Sequence, residues 1–305
     1  MSLGRSLRLG ASLYMPATRP DLGEILAGRK LPTLRSLIVC TEDAVLAHEL
    51  PRALDHLESA LKHLEPSDTL RFVRVRDPMV LRRVGQMPGA ERLDGFVLPK
   101  VTLDNLPIYF AELPARAHFM LTLETREVFD PQQMRRLANL VSRPPYAPRL
   151  WSMRIGGNDL LGLLALRRSR GTTIYDTPLG QTISELVTTF RPLGINLTAP
   201  VYDGVDEDLE REVQLDLCHG LFGKTAIHPT QVPRIEALYR VSQEELATAE
   251  RVLSGRAPAV SLVDQRMCEP STQVRWAELI VARAEVYGVA YHPSAVALAN
   301  GPTSQ

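Results

Sequence analysis

The strongest constraint on the fold of this chain is a regular alternation of short apolar runs with amphipathic runs. Helical patterns separate the apolar runs, at residues 47–64, 77–86, 103–113, 131–141, 184–192, 207–221 and 229–239. Strands that alternate with helices predict a parallel sheet with right-handed crossovers. The predicted strands are residues 12–17, 36–40, 70–75, 95–100, 118–124, 150–157, 197–202 and 224–229.

Eight strand–helix units in about 230 residues predict a closed (βα)8 TIM barrel. The runs at 36–40 and 95–99 are almost entirely apolar, which is typical of a parallel sheet that helices cover. A doubly wound sheet is the alternative, but it usually has a glycine-rich phosphate loop after its first strand. Here that place reads PATRPD, residues 16–21.

The pattern changes at Val241. Residues 241–253 and 274–288 have helical patterns, and the stretch 254–271 between them contains proline, glycine and serine and is predicted to be a mobile linker. We predict a barrel over residues 1–240 and a helical C-terminal extension over residues 241–305. The extension is interpreted as a lid or as a segment exchanged between subunits.

Composition excludes some classes of function. Lys plus Arg is 35 and Asp plus Glu is 35, so the chain has neither the basic footprint of a nucleic-acid binder nor a polybasic membrane signal. No stretch approaches the roughly 20 apolar residues of a membrane helix. Cys40, Cys218 and Cys268 lie too far apart for a CxxC metal motif and are odd in number. We expect a reduced, cytoplasmic setting.

Charged residues stand at or just beyond the ends of most predicted strands. In a TIM barrel the carboxyl ends of the strands meet at one face, which carries the active site. We therefore expect these side chains to share the barrel mouth. They are Arg19, Glu42, Asp43, Arg74, Arg76, Lys100, Glu124, Asp159 and His228.

Glu124 and Asp159 follow apolar runs on adjacent predicted strands. Two carboxylates, with water and an anionic substrate, make a typical octahedral magnesium site. Gly156 and Gly157 would let the backbone approach a ligand closely. The alternative is that Glu124 caps its loop and Asp159 is the N-cap of the next helix. The presence of both carboxylates in one mouth favours Mg²⁺.

Arg74 and Arg76 share one face of their strand, and the valines at 73 and 75 share the other. We predict that both arginines point into the barrel. An inward guanidinium needs an anion, and a core carboxylate and a substrate carboxylate are both open as partners. Glu42 and Asp43, one strand away, satisfy Arg74 in either case.

Lys100 and His228 have several interpretations. Lys100 suits a substrate-binding cation, a Schiff-base amine or a lysine of the rim, and a metal site in the same mouth argues against the Schiff base. His228 precedes Pro229 and is interpreted as a residue that orients the last loop rather than as a catalytic base.

A set of motifs, in order from about residue 11 to residue 253, resembles the HpcH/HpaI aldolase and citrate lyase β-subunit family. The wording YMPATRPD, TLETREVFD and MCEP is closer still to a divergent branch, the C–C bond lyase of TIM-barrel fold. The motifs are SLYMPATRPD, TEDAV, FVRVR, FVLPK, LETREVFD, RIGGNDL and GKTAIHPTQV.

The resemblance implies a magnesium-dependent carbon–carbon lyase or aldolase that acts on a 2-oxo or hydroxy acid, free or as a CoA thioester. Glu124 and Asp159 would be the Mg²⁺ ligands, and Arg74 would hold a carboxylate or enolate oxygen. Glu42 and Asp43 would order metal-bound water and position Arg74. Substrate-binding residues would be Arg19, Arg76, Lys100, Gly156 and Gly157.

The chain departs from the family's usual pattern. Cys40 replaces an aspartate, Arg76 adds a cation, and Arg126 and Glu127 follow the metal glutamate. These changes suggest a more anionic substrate. In relatives a C-terminal aspartate reaches a neighbouring subunit's site, which makes a homo-oligomer plausible.

The C-terminal motif RMCEP leaves the general base open. It offers Glu269 for that role, or Cys268, and a linker residue is the alternative for Glu269. Two other functions stay open. One is a non-catalytic barrel that binds a metabolite or partner within a larger stress-related assembly. The other is a synthase or hydrolase of the malate synthase type, which uses the same metal and enolate.

Overall fold

The computed structural model describes residues 3–204, 208–256, 258–263 and 266–290. The chain divides into two units, Met1–Leu238 and Tyr239–Gln305. The sequence places this boundary after residue 240, close to where the contacts divide.

The first unit is the predicted TIM barrel. Its parallel strands follow one another around the sheet, and β1 pairs with both β2 and β8. Between β7 and β8 the ladder is reduced to a bridge between Ala199 and Lys224, with a 2.7 Å hydrogen bond from Ala199 N–H to the Gly223 carbonyl. The strands are β1 (Ala11–Pro16), β2 (Ser36–Cys40), β3 (Leu70–Arg74), β4 (Gly95–Leu98), β5 (His118–Leu123), β6 (Leu150–Ile155), β7 (Leu197–Thr198) and β8 (Lys224–Ala226).

Each predicted strand is present, but β7 and β8 are shorter than the sequence pattern suggests. Pro200 follows β7 and lacks the N–H that a ladder needs, so the strand ends before it. Beyond β8, the N–H groups of Ile227 and His228 donate to Gln231 Oε1, at 2.8 and 3.3 Å, rather than to a neighbouring strand. The seam between these two strands therefore has few backbone hydrogen bonds.

Helices surround the sheet, and several begin with proline. Proline in the first turn costs no hydrogen bond and has a helical φ. Aspartates cap two of these helices: Asp77 Oδ1 accepts from Val80 N–H at 2.8 Å, and Asp130 Oδ1 accepts from Gln132 N–H at 2.8 Å. The helices are α1 (Leu3–Leu7), α2 (Leu22–Leu26), α3 (Leu50–Lys62), α4 (Pro78–Gly85), α5 (Leu106–Glu112), α6 (Pro131–Val141), α7 (Gly157–Leu163), α8 (Leu179–Phe190), α9 (Asp208–Cys218) and α10 (Gln231–Leu238).

The alternation does not predict α1, α2 or α7. Helices α1 and α2 have only five residues each, too few to display a helical period.

The barrel interior has an apolar floor. Phe72 and Trp151 meet edge to face with their ring centroids 5.3 Å apart, and Tyr14 packs against the floor. The buried members of the floor are Leu9, Ile38, Leu70, Phe72, Val97, Met120 and Trp151. The inward-facing arginines, Arg74 and Arg154, lie toward the carboxyl ends of their strands.

The second unit contains both predicted C-terminal helices. They are α11 (Gln243–Leu253) and α12 (Pro270–Tyr287), with a parallel pair, β9 (Val241–Ser242) and β12 (Val289–Ala290), beside them in the chain. Ser242 and Glu245 form a capping box at the start of α11. The stretch predicted as a mobile linker carries a short antiparallel pair, β10 (Ser261–Val263) and β11 (Arg266–Cys268), so that prediction is wrong for this part of it. In the part of the chain that the structure describes, no helix is long and apolar enough to span a bilayer.

Candidate active site

Arg74 is the centre of an ionic cluster at the barrel mouth. It is the last residue of β3 and is 7% exposed. Its Nη2 donates to Glu42 Oε2 at 2.7 Å and to Glu124 Oε1 at 3.0 Å, and its Nε donates to Glu42 Oε2 at 3.0 Å. Arg74 therefore points inward, as predicted, and core carboxylates are its partners.

The charge of Arg74 is permanent. Burial alone would lower the pKa of its guanidinium, but the charges of Glu124 and Glu42 outweigh burial and raise that pKa. Arg74 thus presents a fixed positive charge beside Glu124.

Lys100 contacts the same cluster through its side chain and its backbone. Its Nζ donates to Glu42 Oε1 and to Asp43 Oδ2, the latter at 3.1 Å. Its backbone N–H donates to Glu124 Oε1 at 2.8 Å, from a left-handed conformation with φ of 50°. That conformation is unfavourable for a residue with a Cβ, so the hydrogen bonds of the loop hold it in place.

The protonation of Lys100 agrees with the prediction against a Schiff base. Burial lowers the pKa of its amine, but the hydrogen bonds to Glu42 and Asp43 outweigh burial and raise it. A protonated amine is a cation and hydrogen-bond donor, not a nucleophile.

Glu42 and Asp43 are neighbours with opposite pKa shifts. Burial alone would raise the pKa of Glu42, but the hydrogen bond with Asp43 and the charge of Arg74 lower it to about 2. Burial and the adjacent Glu42 raise the pKa of Asp43, whose side chain is 61% exposed. Glu42 is therefore a fixed anion that positions Arg74 and Lys100, and Asp43 is a carboxyl group suited to carrying a proton in the mouth.

Glu124 is almost fully buried, at 3% exposure. Burial raises the pKa of its carboxyl group; Arg74 opposes this effect and Asp159 adds to it. A Cβ at position 156 would lie 2.5 Å from Glu124 Oε2, so only glycine allows the backbone of residue 156 to approach this carboxylate. The backbone of Gly156 thus lies against Glu124, and its close approach to a ligand stays a prediction.

Asp159 lies on the first turn of α7 and lines the same cavity as Glu124, with a volume of about 240 Å³. The N-cap of α7 is Gly156, and no side chain caps the helix, so the alternative that Asp159 is an N-cap is wrong. Both carboxylates predicted to bind Mg²⁺ are thus in one cavity.

The donor set of this cavity fits magnesium. Glu124 and Asp159 are hard oxygen donors, and no group of three or more His, Cys, Asp or Glu among the described residues is placed to hold a metal. Mg²⁺ usually takes one or two carboxylates from the protein and fills its other positions with water and substrate oxygens. A two-carboxylate site matches that habit.

Several predicted site residues lie away from this cavity. Arg76 lies beyond the end of β3 and donates to the backbone carbonyls of Glu42, at 3.0 Å, and Val45, so it fixes the loop that carries Glu42. Arg19 donates to Asp21 Oδ1 at 2.8 Å and lines a separate groove. Their substrate-binding roles stay predictions.

Glu269 lies in the second unit, directly before α12. Its backbone carbonyl accepts a hydrogen bond from Thr272 N–H at 3.1 Å. Its role as a base stays a prediction.

The sequence interpretation missed Arg154, which lines the cavity with Tyr14, Thr122 and Thr225. Arg154 lies inside β6 rather than beyond its end, so the search for charges at strand ends did not reach it. The alternation of β6 was the signal: Arg154 is two residues before Gly156 and therefore shares its inward face.

A pair of carboxylates beside an arginine at the mouth of a TIM barrel is an arrangement suited to stabilising an anion at a metal. The chain belongs to the family described as C–C bond lyase of the TIM-barrel fold, whose model matches residues 4–289.

Known proteins are similar over most of the chain. A (3S)-malyl-CoA thioesterase of Cereibacter sphaeroides (strain ATCC 17029 / ATH 2.4.9) is 26% identical over 287 residues, which cover 90% of this chain and 93% of that protein. A citrate lyase structure from Burkholderia xenovorans LB400 has a TM-score of 0.70 at 19% identity and covers 95% of each chain. CitE from Mycobacterium tuberculosis, in complex with magnesium, acetoacetate and coenzyme A, has a TM-score of 0.66 at 22% identity and covers 91% of this chain and 99% of that one. The two structures show that the fold is shared.

Proposed function

We propose that this protein is a magnesium-dependent carbon–carbon lyase that acts on a 2-oxo or hydroxy acid, free or as a CoA thioester. The observation that carries the proposal is that Glu124 and Asp159 line one cavity beside the fixed charge of Arg74. Membership of the C–C bond lyase family and the magnesium in the CitE complex support it.

Glu124 and Asp159 would hold the Mg²⁺ ion. When bound, magnesium acts as a Lewis acid toward the oxygen on which negative charge develops. The raised pKa of Glu124 comes from burial and from the charge of the nearby Asp159, so repulsion from Asp159 is part of what disfavours the ionised form of Glu124. A divalent cation would relieve that repulsion.

Cleavage of a carbon–carbon bond β to a carbonyl needs removal of a proton and stabilisation of a negatively charged oxygen. The chain's own residues can supply both. The substrate hydroxyl loses a proton, the carbon–carbon bond breaks, and its electron pair moves onto the carbonyl oxygen as an enolate. Arg74 lies beside Glu124 and would stabilise that oxygen with a charge already in place. Glu42 fixes the direction of Arg74 and of Lys100.

Proton transfer is assigned to Asp43. Its side chain is exposed in the mouth, its pKa is raised by burial and by Glu42, and Lys100 Nζ lies 3.1 Å from Oδ2. A general base works best when its pKa approaches the working pH, so the upward shift favours this role. Glu269 from another subunit is the alternative base, which would require the proposed homo-oligomer.

The test is calorimetric titration of the metal-stripped protein with pyruvate and oxaloacetate, with and without Mg²⁺. Wild-type protein should bind only with Mg²⁺, and Glu124→Gln or Asp159→Asn should weaken Mg²⁺ binding at least about tenfold. Glu127→Gln is the matched control, because Glu127 is three positions along the chain and is not one of the residues that line the cavity. Unchanged Mg²⁺ affinity in both site variants would refute the assignment.

A second candidate function is a barrel that binds a metabolite or partner without catalysis. Cys40 lines the cavity at the position where the family resemblance implies an aspartate, and this departure favours it. Incubation with (3S)-malyl-CoA separates the options by products. Acetyl-CoA plus glyoxylate means lyase activity, malate plus free CoA means thioester hydrolysis, and unchanged substrate with magnesium-dependent binding means a binding protein. A cytoplasmic location stays a prediction.

A further inference from the structure

Arg154 is a second arginine of the cavity, on a different wall from Arg74. It lies on β6, is 2% exposed and lines the cavity. Strands β4 and β5 separate β6 from β3, which carries Arg74. In the register, Arg154 stands opposite Thr122 of β5 and Thr198 of β7, both on the inward face.

The guanidinium of Arg154 is held in a fixed direction. Its Nη2 donates to Thr225 Oγ1 at 2.7 Å and its Nη1 to Ser12 Oγ at 3.4 Å. The guanidinium carbon lies 5.3 Å from the centroid of the Tyr14 ring. Hydroxyl acceptors and an aromatic face orient a guanidinium fork, and a fork fixed in this way is suited to recognition of a carboxylate.

Thr122 supplies an independent sign of a ligand beside Arg154. Its side chain is 2% exposed and lines the cavity, and within the described part of the chain its Oγ1 has no hydrogen-bond partner. A buried hydroxyl without a partner costs free energy, which a ligand oxygen would recover. An anionic oxygen could accept from Thr122 and Arg154 together.

We propose that Arg154 and Thr122 form a second anion subsite, which accepts the distal carboxylate of a dicarboxylic 2-oxo acid. Thr225 orients Arg154 within this subsite. The inference rests on the proposed function, because the 2-oxo end of the acid is assigned to the wall that carries Glu124 and Asp159. Arg154 is then the residue that selects a dicarboxylic acid over a monocarboxylic one.

The test compares oxaloacetate with 2-oxobutyrate, a four-carbon 2-oxo acid that lacks the second carboxylate. Affinities are measured by calorimetry in the presence of Mg²⁺ for wild type, Arg154→Gln and Thr122→Val. Arg154→Gln should weaken oxaloacetate binding about tenfold or more and change 2-oxobutyrate binding less than about twofold, since a charge-assisted hydrogen bond is lost for one acid only. Thr122→Val should weaken oxaloacetate binding several-fold.

Arg71→Gln is the matched control for the loss of a buried arginine. Arg71 is 3% exposed, lies on β3 on the opposite face from Arg74, and donates to the Glu65 carbonyl at 2.5 Å. This variant should lower stability without changing the ratio of the two affinities. Thermal melts of every variant check the fold.

Each result separates the inference from the proposed function. Magnesium-dependent binding of both acids, with an unchanged ratio in Arg154→Gln and Thr122→Val, would overturn the inference alone. An equal loss for both acids in Arg154→Gln would also overturn it, because Arg154 would then only support the fold. If Arg154→Gln does not fold, Arg154→Lys and Thr122→Val decide by the same ratio. A wild-type protein that binds neither acid with Mg²⁺ would refute the proposed function and this inference with it.

Discussion

Two groups of paired charges lie in the same barrel and differ in their exposure to solvent. The mouth cluster consists of Glu42, Asp43, Arg74, Lys100 and Glu124 and opens on the cavity. The sealed cluster consists of Arg168, Glu212, Asp216 and Lys224. In the sealed cluster Lys224 Nζ donates to Glu212 Oε1 at 2.9 Å and to Asp216 Oδ2 at 2.8 Å, and Arg168 donates to Glu212 Oε2 at 2.7 Å.

The sealed cluster attaches α9 to β8. Lys224 begins β8, and Glu212 and Asp216 share one face of α9, so their ion pairs attach that helix to the strand. Lys224, Glu212 and Asp216 are all 0% exposed. Lys224 also forms the bridge with Ala199, so these ion pairs lie at the seam where β7 and β8 share few backbone hydrogen bonds.

The difference between the clusters shows how exposure assigns a role to a charge. In the sealed cluster every charge faces an opposite charge and is closed off from solvent. In the mouth cluster Asp43 and Lys100 are 61% and 45% exposed, and Glu124 faces the cavity with Asp159. Charges that are paired and sealed hold the fold; charges that are paired and open remain available to a ligand.

The largest expected effect is on the free energy of unfolding, and it is tested by replacing one lysine from each cluster. Lys224→Met should lower the free energy of unfolding by about 3–5 kcal/mol, because it leaves buried carboxylates without their cation. Lys100→Met should cost less than about 1 kcal/mol, because its ion pairs are partly exposed. Urea unfolding measures both. Equal losses would break the division into sealed and open clusters.

The next largest effect is on Mg²⁺ affinity and stability, which two aspartates, Asp159 and Asp216, should separate. Asp159→Asn should weaken Mg²⁺ binding by about 10²-fold and leave the urea midpoint nearly unchanged. Asp216→Asn should do the reverse, since it removes a buried partner of Lys224 and leaves the cavity intact. Calorimetry with Mg²⁺ and urea titration of both proteins would show that one variant loses Mg²⁺ affinity and the other loses stability. A loss of Mg²⁺ affinity in a folded Asp216→Asn protein would contradict it.

The pH dependence of stability gives the smallest effect. The pKa of Glu42 is about 2 in the folded protein, below its ordinary 4.5. A carboxyl group with a lowered pKa stabilises the fold above its unfolded value, and that contribution is lost as the pH falls through the folded value.

Wild type should therefore lose roughly 2 kcal/mol of stability through Glu42 as the pH falls. The loss should occur between pH 4.5 and pH 2, the window that the pKa shift of Glu42 defines, and Glu42→Gln should lack it. The measurement is urea unfolding at a series of pH values. Glu91→Gln, with a side chain that is 72% exposed, is the control that should keep the wild-type slope. An unchanged slope in Glu42→Gln would mean that another group controls acid stability.

Local patterns predicted the strands, Arg74, and the shared cavity of Glu124 and Asp159, because each depends on a period of two or on the end of a strand. The direction of Arg76 was not predictable in that way. The alternation ends with β3 at Arg74, and beyond that residue the loop sets the direction of each side chain. Arg154 was hidden because its strand was interpreted only at its end.

The sealed cluster was not predicted from the sequence. Lys224 meets Glu212 and Asp216, 12 and 8 residues earlier in the chain, because α9 packs against β8, a contact that the search for charges at strand ends did not reach. Pairings of this kind depend on tertiary structure, so the seam became visible only in three dimensions.

The left-handed backbone of Lys100 has a genetic consequence. One base change in the third position of a lysine codon gives asparagine, which adopts this conformation more readily than most residues. That substitution would discard the amine and its ion pairs with Glu42 and Asp43 while it keeps the amide that binds Glu124. Mutation can therefore remove a positive charge from the barrel mouth while the backbone hydrogen bond to Glu124 is kept.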